Sequence, residues 1–308
     1  MKKLTSKFIK SVSNREISVK KNYKLFRVLQ KIVNKPSLRN KKHKDIVFNL
    51  ENRDIKSRVF YPTGNNRGLI IFIHGGGWVS GSVESYTNLC TELSNKTKRI
   101  VISVDYRLAP EYPYPNGFND CYEVVKIIMD NLNSYGLKKQ DVCLMGDSAG
   151  GNLVAAISIK SKRRKDFNIR KQILLYPSLQ SDYSNSTKYK SVIEKGKDYL
   201  LTQKQLQDYI SLYVANSKDL SSPYVSPLKA KFLLFQPETL IITADNDPLR
   251  DEGKKYARRL KLYFNKVQYY NLEGAMHGFM NNLYGKKYKD TAVKKINEFL
   301  GDIYEDKK

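Results

Sequence analysis

The sequence predicts an α/β fold with a mostly parallel central sheet and helices on both faces. Two observations favour this class. Short continuous apolar runs are typical of strands buried on both faces, and amphipathic segments alternate with these runs along the chain. The length of 308 residues is sufficient for one large domain of this kind. Since ligands bind where parallel strands end, we expect the functional residues in the loops that follow the strands.

The first 44 residues are basic and mostly polar, with an apolar scatter that begins at Phe8, Ile9 and Val12. Further on, an apolar stripe at helical spacing, Tyr23, Phe26, Leu29 and Val33, predicts a helix that packs on the body of the protein. The opposite face of this helix is expected to be basic and exposed to solvent. A helix of this composition can also lie on a membrane surface, which is the alternative interpretation.

Residues 45–177 and 233–308 are predicted to form the core. Two short strands, 46–48 and 57–61, are expected to pair antiparallel at a sheet edge. The remaining strands are predicted at 69–73, 100–104, 141–145, 172–176, 239–243 and 267–270, and the helices between or after them at 86–95, 118–132, 152–157, 252–262 and 290–300.

Residues 178–232 interrupt the alternation of strands and helices. They contain polar turns and one predicted helix, 203–214, but no central strand. We therefore expect this insertion, together with the N-terminal segment 1–44, to form a helical cap over the ends of the strands.

The net charge of +25 has two interpretations. It indicates either binding to nucleic acid, anionic lipid or acidic substrates, or a general lysine bias of the genome, and the spread of basic residues over the whole chain favours the bias. No nucleic-acid motif is present, so no specific nucleic-acid partner is expected. No apolar run reaches the roughly 18 residues of a membrane span, and none follows Met1 as in a secretory signal.

Three cysteines, Cys90, Cys121 and Cys143, have no metal-ligand spacing. An odd and sparse set of this kind is typical of reduced thiols, so we expect a cytoplasmic protein.

The run Gly146-Asp147-Ser148-Ala149-Gly150 stands between the strand 141–145 and a helix. A strand that turns directly into a helix at a G-x-S-x-G run holds its serine in a strained backbone with an outward hydroxyl. Ser148 is therefore the candidate nucleophile. Asp147 beside it is expected to be structural.

A second glycine-rich loop, His74-Gly75-Gly76-Gly77-Trp78, follows the strand 69–73. Such a loop supplies backbone amides to an oxyanion hole, together with the amide of the residue after the nucleophile, here Ala149. Trp78 is expected either to line the acyl site or to pack within the loop.

The acid and the base of a catalytic triad are expected after the last two strands. Asp245 and Asp247 follow the strand 239–243, and position alone does not separate them, whereas Asp251 and Glu252 suit the first turn of the next helix. Of the three histidines, His43 lies in the basic N-terminal segment, far from any strand end, and His74 opens the glycine loop. His277 follows the last strand, so the chain order is serine, aspartate, histidine.

Five motifs in this order resemble the hormone-sensitive-lipase family of α/β-hydrolases over roughly residues 45 to 300. They are His74-Gly75-Gly76-Gly77-Trp78, Asp105-Tyr106-Arg107-Leu108-Ala109-Pro110-Glu111, Gly146-Asp147-Ser148-Ala149-Gly150-Gly151, Asp247-Pro248-Leu249-Arg250-Asp251-Glu252-Gly253 and His277-Gly278-Phe279. The resemblance implies Asp247 as the triad acid and Gly75, Gly76 and Ala149 as oxyanion donors. It also implies a homodimer through the last sheet edge.

We therefore predict a serine carboxylesterase that acts on short-to-medium-chain acyl esters through Ser148, His277 and Asp247, without metal or cofactor. Its partner is a small-molecule ester, and no stable membrane insertion is expected. The alternative is a deacetylase or amidase of acetylated sugars or N-acyl compounds that uses the same triad. The Asp105-Tyr106-Arg107 run is expected to brace the glycine loop.

Overall fold

A single sheet of eight strands forms the centre of the part of the chain that the computed structural model describes, residues 18–37, 43–197, 199–281 and 285–301. The spatial order of the strands is β1-β2-β4-β3-β5-β6-β7-β8. Their bounds are β1 His43–Leu50, β2 Arg53–Phe60, β3 Leu69–Ile73, β4 Ile100–Val104, β5 Val142–Asp147, β6 Lys171–Leu175, β7 Glu238–Asn246 and β8 Val267–Met276.

The first two strands run antiparallel to their neighbours, and the pairs from β4 to β8 are parallel. This confirms the predicted class. One expectation was wrong: His43 was expected to lie far from any strand end, but it is the first residue of the edge strand β1. The strands β7 and β8 continue beyond their apolar runs, with a register shift between Ala244 and Asn246. These extensions contain polar residues, so a search for apolar runs predicts the two strands too short.

Helices cover both faces of the sheet. Their bounds are α1 Val19–Val33, α2 Thr87–Thr97, α3 Asn116–Asp130, α4 Ala149–Arg164, α5 Lys190–Glu194, α6 Gln203–Tyr213, α7 Arg250–Leu262 and α8 Lys286–Leu300. Alternate residues of β3 enter two separate cores: Ile71 and Ile73 pack with α3, α4 and α7, while Ile70 and Phe72 pack with α2 and α8. A strand buried on both faces must be apolar throughout, as β3 is.

The helix α1 packs through a different stripe from the one predicted. Val19 is buried, and Tyr23 and Phe26 are partly buried against the body. Leu29 and Val33, which were expected on the same inner face, are 48% and 68% exposed. The predicted apolar scatter at Phe8, Ile9 and Val12 lies outside the described residues.

Between β6 and β7, the described residues contain no strand, as expected. They contain α6 and a further short helix, α5, which was not predicted. The helix α6 begins with a capping box, in which the Thr202 side chain accepts from the Gln205 amide and the Gln205 side chain accepts from the Thr202 amide. The helices α1 and α6 contact each other.

Candidate active site

Ser148 lies at the turn between the end of β5 and the start of α4. Its backbone φ is 52° and its ψ is −119°, which is a strained conformation for a residue with a side chain. The flanking glycines make the turn possible. A Cβ on Gly150 would collide with the Ile73 carbonyl oxygen, and a Cβ on Gly146 would collide with the Gly150 backbone. The local sequence thus fixes the serine at the apex of a strand-turn-helix unit.

His277 reaches Ser148 from the end of β8. The Ser148 hydroxyl lies 2.9 Å from His277 Nε2, and His277 Nδ1 lies 2.7 Å from Asp247 Oδ2. With the ring proton on Nδ1, this nitrogen donates to Asp247, and Nε2 accepts from the Ser148 hydroxyl. The Asp247 side chain is fully buried. This geometry lets the carboxylate fix the imidazole tautomer while Nε2 is ready to take the hydroxyl proton.

The structure distinguishes the two aspartates that sequence position left open. Asp247 contacts His277, whereas Asp245 has other partners. The Arg250 guanidinium lies 3.6 Å from Asp245, and the Asn271 amide group donates to Asp245 over 3.4 Å. Asp247 also accepts from the Leu249 amide, which orients the carboxylate within its own loop.

Asp251 and Glu252 lie in the first turn of α7, and both connect that helix to residues 178–232. Asp251 accepts from the Ser191 amide over 2.9 Å, and Glu252 accepts from the Leu179 amide over 3.1 Å. Glu252 is completely buried, and this burial raises the pKa of its carboxyl well above the usual value. Their contacts are structural, in agreement with the prediction.

Of the three predicted oxyanion donors, Gly75 is wrong, because its amide already has a partner. The Gly75 amide donates to Asp147 Oδ1 over 2.8 Å and lies 3.2 Å from the Tyr86 hydroxyl. This amide is therefore engaged behind the loop and is not available to a substrate. Among the described residues, the amides of Gly76, Gly77 and Ala149 have no hydrogen-bond acceptor. Gly77 was missed as a donor, although it is the third of three consecutive glycines.

Asp147 lies behind Ser148 and anchors the loop, as its predicted structural role requires. Its buried carboxylate accepts from the Gly75 amide and from the hydroxyls of Tyr86, at 3.0 Å, and Tyr176, at 3.3 Å. Burial raises the pKa of Asp147 to about 6, and its hydrogen bonds oppose this rise. The tyrosine Tyr176 also packs edge-on against the His277 ring.

The Asp105-Tyr106-Arg107 run braces the glycine loop from its other side, as predicted. The Tyr106 hydroxyl donates to the His74 carbonyl oxygen over 3.0 Å, and the two rings stack with centroids 4.4 Å apart. Arg107 makes a two-pronged ion pair with the buried carboxylate of Asp120. Asp105 accepts from the Val83 amide. These contacts are all internal.

A cavity of about 300 Å³ opens in front of Ser148. Trp78 borders this cavity, and its buried indole also stacks on Tyr213 with ring centroids 4.4 Å apart. Apolar side chains of α1, α6 and the loop before α6 complete the wall: Phe26, Leu200, Leu201, Leu206 and Tyr209. Phe26 was predicted only as a packing residue, and Tyr209 gave no signal, because neither side chain carries a motif.

Two sets of hydrogen bonds hold α1 over this cavity. Asp208 of α6 accepts from the Ser18 hydroxyl over 2.8 Å and from the Lys20 amide over 3.2 Å, at the start of α1. Further along the helix, Arg27 donates to the carbonyl oxygens of Val79 and Ala109 and pairs with Glu111. The helix is thereby connected both to α6 and to the segment next to the glycine loop.

The described residues contain no cluster of three or more His, Cys, Asp or Glu side chains that could hold a metal ion. Cys90, Cys121 and Cys143 are buried and unpaired. In the described ranges, no helix has both the length and the apolar character needed to cross a bilayer.

Comparison with known proteins finds relatives that share most of this chain's length. A family model described as an alpha/beta hydrolase fold matches residues 70–281. An arylesterase from Saccharolobus solfataricus is 35% identical over 241 residues, which cover 78% of this chain and 77% of the relative. The arylacetamide deacetylase of Bos taurus is 30% identical over an alignment that covers 85% of this chain and 79% of the relative.

A solved structure shows the same architecture over nearly the whole chain. The hyperthermophilic esterase from the archaeon Pyrobaculum calidifontis superposes with a TM-score of 0.83 and 30% sequence identity, and the alignment covers 96% of this chain and 97% of that one.

Proposed function

Since this chain belongs to the hormone-sensitive-lipase group of the α/β-hydrolase family, we propose that it is a serine carboxylic ester hydrolase. Its proposed substrates are short-to-medium-chain acyl esters. The observation that carries the proposal is the continuous pair of hydrogen bonds from Ser148 to His277 and from His277 to Asp247. The esterase names of its relatives support the same reaction.

In the proposed mechanism, the Ser148 oxygen attacks the ester carbonyl carbon while His277 Nε2 takes the hydroxyl proton. Asp247 holds the imidazole in the required tautomer and stabilises the imidazolium that forms. His277 then gives the proton to the departing alcohol oxygen, which leaves an acyl group on Ser148. A water molecule then attacks the acyl carbon while His277 takes a proton from it. The bond between the Ser148 oxygen and the acyl carbon breaks, the carboxylic acid leaves, and His277 returns the proton to the Ser148 oxygen.

The amides of Gly76, Gly77 and Ala149 are the proposed oxyanion hole. Ala149 begins α4, so its amide also benefits from the positive end of the helix dipole. Gly76 and Gly77 have φ values of 110° and 63°, which a residue with a side chain rarely adopts. Asp147 and Tyr106 would keep the loop in this conformation from behind, without touching substrate.

The size and lining of the cavity support a small acyl ester. A volume of about 300 Å³ is at the lower end of small-molecule sites, and its walls are largely apolar. We propose that residues 178–232, together with the N-terminal segment 1–44, act as a cap. Phe26, Leu206 and Tyr209 would then limit the length of the acyl chain.

The test is a panel of p-nitrophenyl esters from acetate to palmitate, hydrolysed by the wild type and by Ser148→Ala. We expect acetate and butyrate to react fastest and Ser148→Ala to lower kcat by at least about 10³-fold, since the triad acts as a unit. Ser134→Ala changes an exposed serine far from the site and should have wild-type rates. Equal rates for Ser148→Ala and wild type would disprove the assignment.

A second candidate is the hydrolysis of amides or acetylated small molecules by the same residues. The 30% identity to an arylacetamide deacetylase favours it. Adding N-acetyl arylamines and acetylated sugars to the panel separates the two reactions. A kcat/KM for these compounds above that for the best ester would favour the deacetylase.

We also propose a cytoplasmic location, which three buried and unpaired thiols support. The family resemblance further suggests a homodimer through the exposed edge of β8. Analytical ultracentrifugation tests the dimer, and labelling of unfolded protein with a thiol reagent tests whether the three cysteines are reduced in cells.

A further inference from the structure

The helix α1 has a second apolar face, which points to solvent. At helical spacing, five aliphatic side chains form what we call the outer stripe, each 48–68% exposed: Leu25, Val28, Leu29, Ile32 and Val33. The inner face, with Val19 and Phe26, already packs on the body. The outer stripe therefore leaves about half or more of each of its side chains exposed and presents an apolar surface to water.

Positive charge accompanies the outer stripe. Five exposed lysines lie in or next to α1: Lys20, Lys21, Lys24, Lys31 and Lys35. The helix contains no aspartate or glutamate. At 100° per residue, Lys24 and Lys31 fall together along one side of the stripe, and Lys35 follows just after the helix ends. The exposed surface of α1 thus combines an aliphatic strip with a basic border.

We propose that the outer stripe docks on the surface of an anionic lipid bilayer. The aliphatic side chains would enter the boundary between headgroups and acyl chains, and the lysines would contact the anionic headgroups. A nucleic acid or another soluble polyanion would use the lysines but not the aliphatic strip. A second copy of the chain would bring two rows of lysines together, which like-charge repulsion opposes.

Docking in this orientation would bring the candidate active site next to the lipid. The opposite face of the same helix lines the cavity in front of Ser148 through Phe26, Gln30 and Asn34. The thickness of one helix, about 10 Å, would then separate the cavity from the bilayer. Binding itself does not depend on the proposed ester chemistry, so the two proposals can fail separately.

A second exposed apolar patch provides a matched control. Its side chains, 44–92% exposed, are Phe232, Leu234, Phe235, Leu262 and Phe264. This patch borders the amino ends of β7 and β8, at the opposite end of the sheet from Ser148. It is also flanked by basic side chains, among them Lys171 and Lys266. A single bilayer cannot contact both ends of the sheet at the same time.

The experiment measures co-sedimentation of the full chain with vesicles of phosphatidylcholine alone or mixed equally with phosphatidylglycerol. We expect binding to the mixed vesicles only, weakened by 0.5 M NaCl because screening reduces the attraction. Leu29→Ser/Ile32→Ser should weaken binding at least about tenfold. Lys24→Gln/Lys31→Gln should weaken binding and reduce its salt dependence, while Leu262→Ser/Phe264→Ser should bind like the wild type.

Melting curves by circular dichroism check that each variant is folded, and Ser148→Ala should bind vesicles as the wild type does whether or not the chain is an esterase. Three results would overturn the proposal: no binding to mixed vesicles, unchanged binding by the outer-stripe and lysine variants, or loss of binding in the Leu262→Ser/Phe264→Ser control.

Binding to heparin without binding to vesicles would point to a soluble polyanion. A wild-type dimer that Leu29→Ser/Ile32→Ser dissociates, again without vesicle binding, would assign the stripe to a protein interface.

Discussion

Gly75 and Asp147 are joined by a hydrogen bond in which the Gly75 amide donates to the Asp147 carboxylate over 2.8 Å. The two residues come from neighbouring parallel strands, β3 and β5, at the point where each strand ends. Through this contact, Asp147, which precedes the nucleophile, fixes the position of Gly75, the first glycine of the loop that faces Ser148. The hydrogen bond sets the distance between Ser148 and the amides proposed to stabilise the oxyanion.

Asp147→Asn should change the pH dependence of stability. Burial raises the pKa of Asp147 to about 6, so the folded state holds this proton more tightly than the unfolded chain. The contribution to stability is full below the unfolded pKa and is lost as pH rises through 6. Relative to Asp147→Asn, the free energy of unfolding of the wild type should fall by about 2 kcal/mol between pH 4.5 and 7.5.

Urea unfolding at the two pH values measures this difference. Asp130→Asn, at an exposed carboxylate, is the control. Its free energy of unfolding should change between the two pH values by as much as that of the wild type. If the curves for wild type and Asp147→Asn run parallel as well, Asp147 titrates near its ordinary value and the burial argument is wrong.

Asp247→Asn should abolish most of the activity, whereas Asp245→Asn should leave it nearly unchanged. Asp247 alone of the two contacts His277, and an asparagine there favours the wrong tautomer of the ring. We expect kcat to fall about 10³- to 10⁴-fold for Asp247→Asn and less than about threefold for Asp245→Asn, as measured with p-nitrophenyl butyrate. A reversed order would assign the acid to Asp245.

Gly77→Ala should impair catalysis more than folding. A Cβ at this position would collide with the Tyr209 ring, and the φ of 63° adds a backbone cost of about 1–2 kcal/mol. Displacing the loop moves the proposed oxyanion donors, so kcat/KM should fall about 10- to 100-fold. Gly136→Ala has the same backbone cost at φ 66° with open space around it, and its activity should match the wild type.

The double variant Gly77→Ala/Tyr209→Ala separates the clash from the backbone effect. It should recover part of the loss, because the ring that the new methyl group meets has been removed. Complete absence of recovery would place the whole effect in the backbone of the loop.

Asp208→Ala should loosen α1 from α6. The Asp208 carboxylate accepts two hydrogen bonds at the start of α1, and loss of such a cap costs about 1–2 kcal/mol. Because α1 lines the cavity but contains none of the proposed catalytic groups, KM should rise more than kcat falls. Lys204→Ala, which breaks only a long surface pair with Asp208, should change stability by less than about 0.5 kcal/mol.

Urea unfolding and steady-state kinetics on the same preparations check this prediction. A fall in kcat with an unchanged KM would mean that Asp208 acts on the reacting groups and not on the position of α1.

Where the chemistry depends on local sequence, the sequence alone was sufficient. The strand-turn-helix unit around Ser148 follows from glycines two residues on either side, and the order of Ser148, an aspartate after β7 and His277 follows from the strands that precede them. The class of the sheet follows from β3, whose five residues must all be apolar when both faces are covered. These properties arise from neighbours in the chain.

The tertiary structure decided what depends on residues distant in sequence. Gly75 was predicted as an oxyanion donor, yet its amide is taken by Asp147, 72 residues away. Asp245 and Asp247 differ only in which of them meets the ring of His277, and Leu29 and Val33 are exposed because α1 turns Phe26 and Gln30 toward the cavity instead. A periodic pattern of apolar residues gives the faces of a helix or strand, but only packing determines which face is covered.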